Sequence, residues 1–382
     1  MKKFIIRNKP TFGVPVQAKR SGTGRMNWCL LGILAASFLF FACAPRQSVV
    51  PDQPERTIVW PGPPLEPRIQ WIREIRTYQD AGTSKGFWQR FKNFIVGETE
   101  TSILRPYGVF NDDRDCLFVV DTGAAVVHMM DTETGRYTMI EGENENTFRT
   151  PIAITGDDNG NVYITDADAG IVFRYNLKEG VLQRFTTFKL ERPTGLAFSR
   201  ARQLLYVTDT GAHQIIAIDL AGKERFRFGS RGVAPGQFNY PTDLCVDKIG
   251  RVIVTDAMNF RIQIFSPEGN LLEVFGQAGD SSGSFAKPKG LAIDSEGHIY
   301  VCDALFDTVQ VFDDRGRLLL GFGDKGSKYG QFWMPAGIYI DRNDYIYVTD
   351  SYNQRVQVFK YLKDEDEIMI MRGEITKKLL SK

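Results

Sequence analysis

Only three histidines (His128, His213 and His298) occur in this chain of 382 residues, and its five cysteines include no Cys-x-x-Cys pair. That scarcity removes the common zinc spacings and the haem-attachment motif. No Gly-rich phosphate loop and no recognisable nucleophile–base arrangement is present. Basic charge is short where it would count for nucleic acid. Residues 1–43 carry seven Lys/Arg and no acid, which leaves 40 basic against 46 acidic residues in the remainder. A nucleic-acid binder shows a basic footprint on its folded part, so the composition argues against one. Cys116, Cys245 and Cys302 lie in apolar stretches of different repeats. Odd in number and without paired spacing, they read as buried thiols rather than a disulfide framework.

What the chain has in abundance is repetition. Six apolar strands each run into an aspartate, a loop and a second apolar strand, as in VVDTGAAVVHMM, VTDAMNFRIQIF and VTDSYNQRVQVF. The aspartates are Asp121, Asp166, Asp209, Asp256, Asp303 and Asp350, spaced 45, 43, 47, 47 and 47 residues apart. A period of this size is the mark of a repeat architecture. Each unit begins with a proline (Pro106, Pro151, Pro193, Pro241, Pro288 and Pro335), and an apolar residue stands three places before each. Four short strands per unit make an antiparallel meander. Six meanders arranged radially make an all-β, six-bladed propeller over 103–362, which leaves only short protected edges. An open array would need distinct polar capping repeats, and none is visible. The sixth unit lacks a clear last strand. Arg68–Arg76 is the natural fourth strand, a clasp between chain ends, with the charged tail 363–382 (its EIMIM segment) as the competitor.

The N-terminal 43 residues read as an export signal, basic and then uninterruptedly apolar over Trp28–Ala44. The run ends in LFFAC, which resembles the lipobox of bacterial lipoproteins. The resemblance implies cleavage before Cys43, a lipid on Cys43 and, with Ala44 next, an outer-membrane or periplasm-facing location. Phe40 and Phe41 depart from the usual lipobox residues. Seventeen apolar residues also reach the low end of a spanning helix, so an uncleaved anchor is the alternative. The Pro-rich stretch 44–67 reads as an extended tether. Within 68–102, after the clasp strand, Phe87, Trp88, Phe91, Phe94 and Ile95 mark a short amphipathic helix over Gly86–Val96, suited to packing on the domain or lying on a membrane.

FGSRGVAPGQFNYPTDL, FGQAGDSSGSFAKPKGL and FGDKGSKYGQFWMPAGI, each followed by a VTD or VCD strand, resemble NHL repeats. The likeness covers roughly residues 103–360, with the first two copies divergent, and implies the same six-bladed propeller. The Gly-His and Trp-Asp landmarks of WD40 repeats are absent. Asn259/Arg261 and Asn353/Arg355 complete the family's D-x-x-N-x-R pattern in two units only. Equal use of the aspartate in all six units points to a role in fixing turns.

Some propeller amidating lyases that resemble NHL proteins use three histidines on one metal. Here His298 falls in a first turn, His213 in a second and His128 mid-strand, positions that cannot converge on zinc. Propeller lactonases use acids around a channel calcium, and Asp157, Asp158, Asp168, Asp243, Asp247 and Glu191 are available without a spacing that singles out a set. No metal or other cofactor is expected. A binding role is better supported. The Asp loops and the segments leading into each proline share one face, which gathers Arg105, Tyr107, Arg192, Tyr240, Phe260, Lys289, Phe306, Trp333 and Tyr352. Aromatic and basic side chains on loops of a rigid scaffold suit recognition. The expectation is a lipid-anchored envelope scaffold that holds a protein or peptide, with a glycan as second choice. The alternatives are an envelope hydrolase or lyase with a channel metal, and a structural subunit of an envelope machine.

Overall fold

A computed structural model describes residues 57–85 and 102–363, apart from 113, 115 and 143. Cys43, the Gly86–Val96 segment and the tail beyond Lys363 lie outside the described residues. Six antiparallel sheets follow one another, blade 1 over 106–140, blade 2 over 151–184, blade 3 over 193–228, blade 4 over 241–275 and blade 5 over 288–322. Blade 5 shows the unit: Pro288–Ile293, Ile299–Asp303, Thr308–Phe312 and Leu318–Phe322, each paired with the next. Blade 6 takes three strands from 335–361, and its fourth is Ile69–Ile75, antiparallel to Arg355–Tyr361. The ring thus closes between segments some 290 residues apart in sequence. Ser351 Oγ adds a 2.6 Å bond to the Pro106 carbonyl, joining blade 6 to blade 1.

Two edges are longer than a four-strand meander requires. Val59–Trp60 pairs with the clasp strand, and Ser84–Lys85 runs parallel to Arg136–Ile140. The last part of the 44–67 stretch is therefore not a free spacer. Trp60 packs on Phe322 and Phe359, at ring separations of 5.9 and 5.8 Å. Pairing that masks an outer strand also protects it from foreign chains.

Six hydrophobic clusters fill the six clefts between facing sheets. The apolar residue three before each proline is a wedge in these clefts: Ile103, Phe148, Leu190, Phe238, Phe285 and Phe332 are all at most 4% exposed. Burying such a side chain stabilises by about 1.5–3 kcal/mol. The FG sequences ending blades 3, 4 and 5 follow from the wedges. A Cβ on Gly229, Gly276 or Gly323 would lie 2.3–2.4 Å from the ring of Phe238, Phe285 or Phe332, and all three glycines have positive φ. Only glycine allows both the turn and the ring on top of it.

Candidate functional site on the loop face

Each repeated aspartate ends its strand with the carboxylate turned back on the backbone. Asp121 accepts from the N–H groups of Leu104, Arg105, Gly123 and Ala124, and Asp303 from those of Ala286, Lys287, Leu305 and Phe306. One carboxylate thus ties the loop leading into the proline to the loop after the aspartate, and both emerge on the same face. His128 and these amides outweigh burial and hold the Asp121 carboxyl down to about 2. Four residues after every aspartate the chain turns left-handed: Ala125, Gly170, His213, Phe260, Asp307 and Gln354 have φ between 53° and 67°. The turn is thus common to all six blades whatever its side chain.

Blades 4 and 6 vary the scheme. The backbone N–H of Tyr240 donates to Nδ1 of His213 in blade 3 (3.1 Å), and that of Met334 donates to Oδ1 of Asp307 in blade 5 (2.7 Å). Asp256 and Asp350 are then free for side chains. Asp256 accepts from Asn259, Arg261 and Gln263, and Asp350 from Asn353, Arg355 and Gln357. This gives the D-x-x-N-x-R pattern its structural content, with Arg261 and Arg355 buried as they cross to the lead-in loop.

Above this frame stand the exposed residues. Leu104, Tyr240, Met258, Leu305, Trp333 and Tyr352 are each 45–58% exposed, and all belong to this face. They lie on blades 4, 5, 6 and 1, an unbroken arc of the ring. Trp333 and Tyr352 lie 5.5 Å apart, the Arg105 guanidinium stands 5.7 Å over Tyr352, and Tyr240 leans on His213 at 4.5 Å. Arg192 is exposed, whereas Phe260 and Phe306 are half-buried. Leu104, Met258 and Leu305 escaped the sequence reading. The signal was there, because Met258 and Leu305 sit two residues after their aspartates, the register of Tyr352.

The inner strands surround a channel of about 610 Å³. Two residues past the proline the register holds Gly108, Ala153, Gly195, Asp243, Gly290 and Gly337. A Cβ on Gly108, Gly290 or Gly337 would meet the neighbouring blade's backbone at 2.0–2.5 Å, so the blades close around small residues. Asp243 is the exception, a carboxyl in the neck of the channel. It accepts from the Leu291 N–H at 3.1 Å, and burial pushes it up to about 7. Tyr107 and Lys289 stand one residue past their prolines and meet from blades 1 and 5, with Nζ 5.2 Å from the ring centroid. Burial raises the Tyr107 phenol to about 12. Burial first, then Lys287 and Arg105, lowers the Lys289 ammonium to about 8.

The remaining acids are dispersed. Asp157 and Asp247 cap first turns on the opposite face, where Asp158 also pairs with Arg200. Asp168 accepts from Thr150, and Glu191 is exposed on the loop face. Among the described residues no three His, Cys, Asp or Glu gather as metal ligands. His128 bonds Tyr137 and Asp121, His213 accepts from Tyr240, and His298 bonds Asp294. Cys116 and Cys302 are buried, and burial pushes both thiols up. Cys245, expected to be buried, is half-exposed because it lines the channel.

The NHL repeat model matches residues 332–359, and the SMP-30/Gluconolactonase/LRE-like region matches residues 164–278. The chain is a six-bladed β-propeller that carries an NHL repeat in blade 6. Protein wech of Drosophila melanogaster is 36% identical to this propeller over 82 residues, 22% of the chain but only 10% of wech. An auxiliary nutrient binding protein from Bacteroides thetaiotaomicron superposes with TM-score 0.56 and 14% identity, covering 69% of this chain and 71% of that one. Virginiamycin B lyase from Staphylococcus aureus gives 0.53 and 13%, covering 76% and 99%. At such identities the likeness is one of fold. Among the described residues of the propeller, no helix is long and apolar enough to cross a membrane.

Proposed function

We propose that this propeller is a lipid-anchored binding scaffold of the cell envelope, held through Cys43 and gripping a protein or peptide with its loop face. The carrying observation is the arc of exposed Leu104, Tyr240, Met258, Leu305, Trp333 and Tyr352 on four consecutive blades. Large apolar side chains gathered on loops of a rigid frame mark an interaction surface. Their fixed anchorage lowers the entropic cost of binding, since each loop is already tied down by an aspartate. The nutrient-binding propellers of similar fold support a binding role by analogy. A metal-dependent hydrolase or lyase finds no supporting ligand cluster among the described residues.

The test is crosslinking in cells with the full-length protein beside the triple variant Tyr240→Ala, Trp333→Ala, Tyr352→Ala and an opposite-face control, Ile249→Ala. One dominant envelope protein captured by wild type and control, and lost by the folded triple variant, supports the reading. Capture that survives the triple variant removes the loop face from it. Labelling with a radioactive fatty acid, present in wild type and absent in Cys43→Ser, tests the anchor.

A further inference from the structure

Four cations stand at the loop-face mouth of the channel without a counter-ion. Arg105 and Arg192 precede the prolines of blades 1 and 3 by one residue, and Lys287 and Lys289 flank that of blade 5. None forms an ion pair among the described residues. Other arginines of the propeller do have acidic partners, as in Arg251–Asp247, Arg261–Asp256, Arg317–Asp313 and Arg355–Asp350. Proximity makes the four a cluster. The Lys289 ammonium sits over the Tyr107 ring, Arg192 lies within electrostatic reach of that phenol, and Lys287 and Arg105 both repel Lys289. The acid within reach of Tyr107 is Asp243, deeper in the neck and committed to the Leu291 amide. Arg105, Arg192 and Lys287 are exposed and Lys289 is half-buried, so the mouth carries a patch of uncompensated positive charge.

We propose that this mouth binds carboxylates, and that the partner inserts an acidic peptide segment whose apolar residues rest on Trp333 and Tyr352. This rests on the reading of the loop face as a protein- or peptide-binding surface, and it names the chemistry of what is bound. Carboxylates would gain charge-assisted bonds from ammonium and guanidinium groups that now have none. A peptide fits better than a polyanionic glycan because the cations adjoin an apolar arc, and sugars bring no matching aliphatic side chains. Arg105 lies over Tyr352 and so joins the two zones.

The experiment measures fluorescence anisotropy of a labelled peptide of alternating glutamate and leucine on the full-length protein in detergent, beside a twin with glutamine for glutamate. The expected result is binding of the acidic peptide, with the twin weaker by roughly tenfold or more. The double variant Arg192→Gln, Lys289→Met loses about the same factor, while Lys289→Arg keeps it. Equal affinity for the twin, or no change in the folded double variant, overturns the proposal. Heparin displacing the peptide at equal charge would assign the mouth to a glycan and overturn it as well. Envelope crosslinks that depend on Tyr240, Trp333 and Tyr352 but ignore the charge variant would sink this inference and leave the scaffold reading standing. Loss of all crosslinks in wild type would sink the reading itself.

Discussion

His213 Nδ1 accepts the backbone N–H of Tyr240 at 3.1 Å, a bond that crosses from blade 3 to blade 4. Asp307 does the same for Met334 between blades 5 and 6, at 2.7 Å. Both acceptors have left-handed φ, and both donors do too. His213→Ala should therefore cost about 1–2 kcal/mol, because a donor amide loses its partner while the backbone strain remains. His213→Asp should lie close to wild type, since blade 5 already uses that residue. Urea unfolding of the two variants checks the ordering, and equal losses would refute the latch.

Arg355 joins the clasp strand to the blade it completes. It is fully buried between Asp350 (2.8 Å) and Glu74 (2.6 Å), and it also donates to the carbonyls of Lys328 and Gln331. Arg355→Met leaves the Asp350 carboxylate buried without its cation, a loss of about 3–5 kcal/mol. Glu74→Gln removes charge from a partly exposed partner and should cost only about 1–2 kcal/mol. Protease nicking near the clasp, measured beside equilibrium unfolding, should follow the same ranking.

His298 supplies a pH dependence. Its Nδ1 stands 2.8 Å from the Asp294 carboxylate, and that hydrogen bond, outweighing partial burial, raises the imidazole above its ordinary value. A raised folded value means that the native state binds the proton more tightly. The stabilisation is full below about pH 6.5 and is lost as pH rises through the folded value. Relative to His298→Gln, wild type should be more stable at about pH 5, with the gap closing by about pH 9. A constant difference in melting temperature across that range would refute it.

The closeness of the inner strands can be tested with one methyl group. A Cβ at Gly337 would sit 2.0 Å from the Tyr107 carbonyl oxygen, so Gly337→Ala should push blades 6 and 1 apart at a cost of about 1–3 kcal/mol or more. At Gly321, where the nearest atom is 3.7 Å away, alanine should change stability by less than about 0.5 kcal/mol. Thermal melts of the pair decide it.

The frame was legible because it is written locally and six times. Proline, aspartate and the apolar wedge recur at one spacing, so each copy corroborates the others, and blade number and the identity of the loop face follow. Within the site the legible part was composition by register: Trp333, Tyr352, Arg105 and Tyr240 occupy loop positions that the repeat marks. Met258 and Leu305 were open to the same argument, at the position of Tyr352. Asp243 looked like one acid among several. Only the glycine register around it reveals a carboxyl in a neck built for hydrogen atoms.

The amino-acid sequence by itself determined the six-fold unit, its strand order and the side chains offered by each loop, because hydrogen bonding and alternation act between neighbours along the chain. Tertiary structure alone decided which offerings meet. The Lys289 ammonium over the Tyr107 ring, Glu74 against Arg355, and the burial that raises the Asp243 carboxyl all join or depend on groups far apart in sequence. Charge and burial at such points are set by the geometry of the closed ring, which the repeat spacing does not specify.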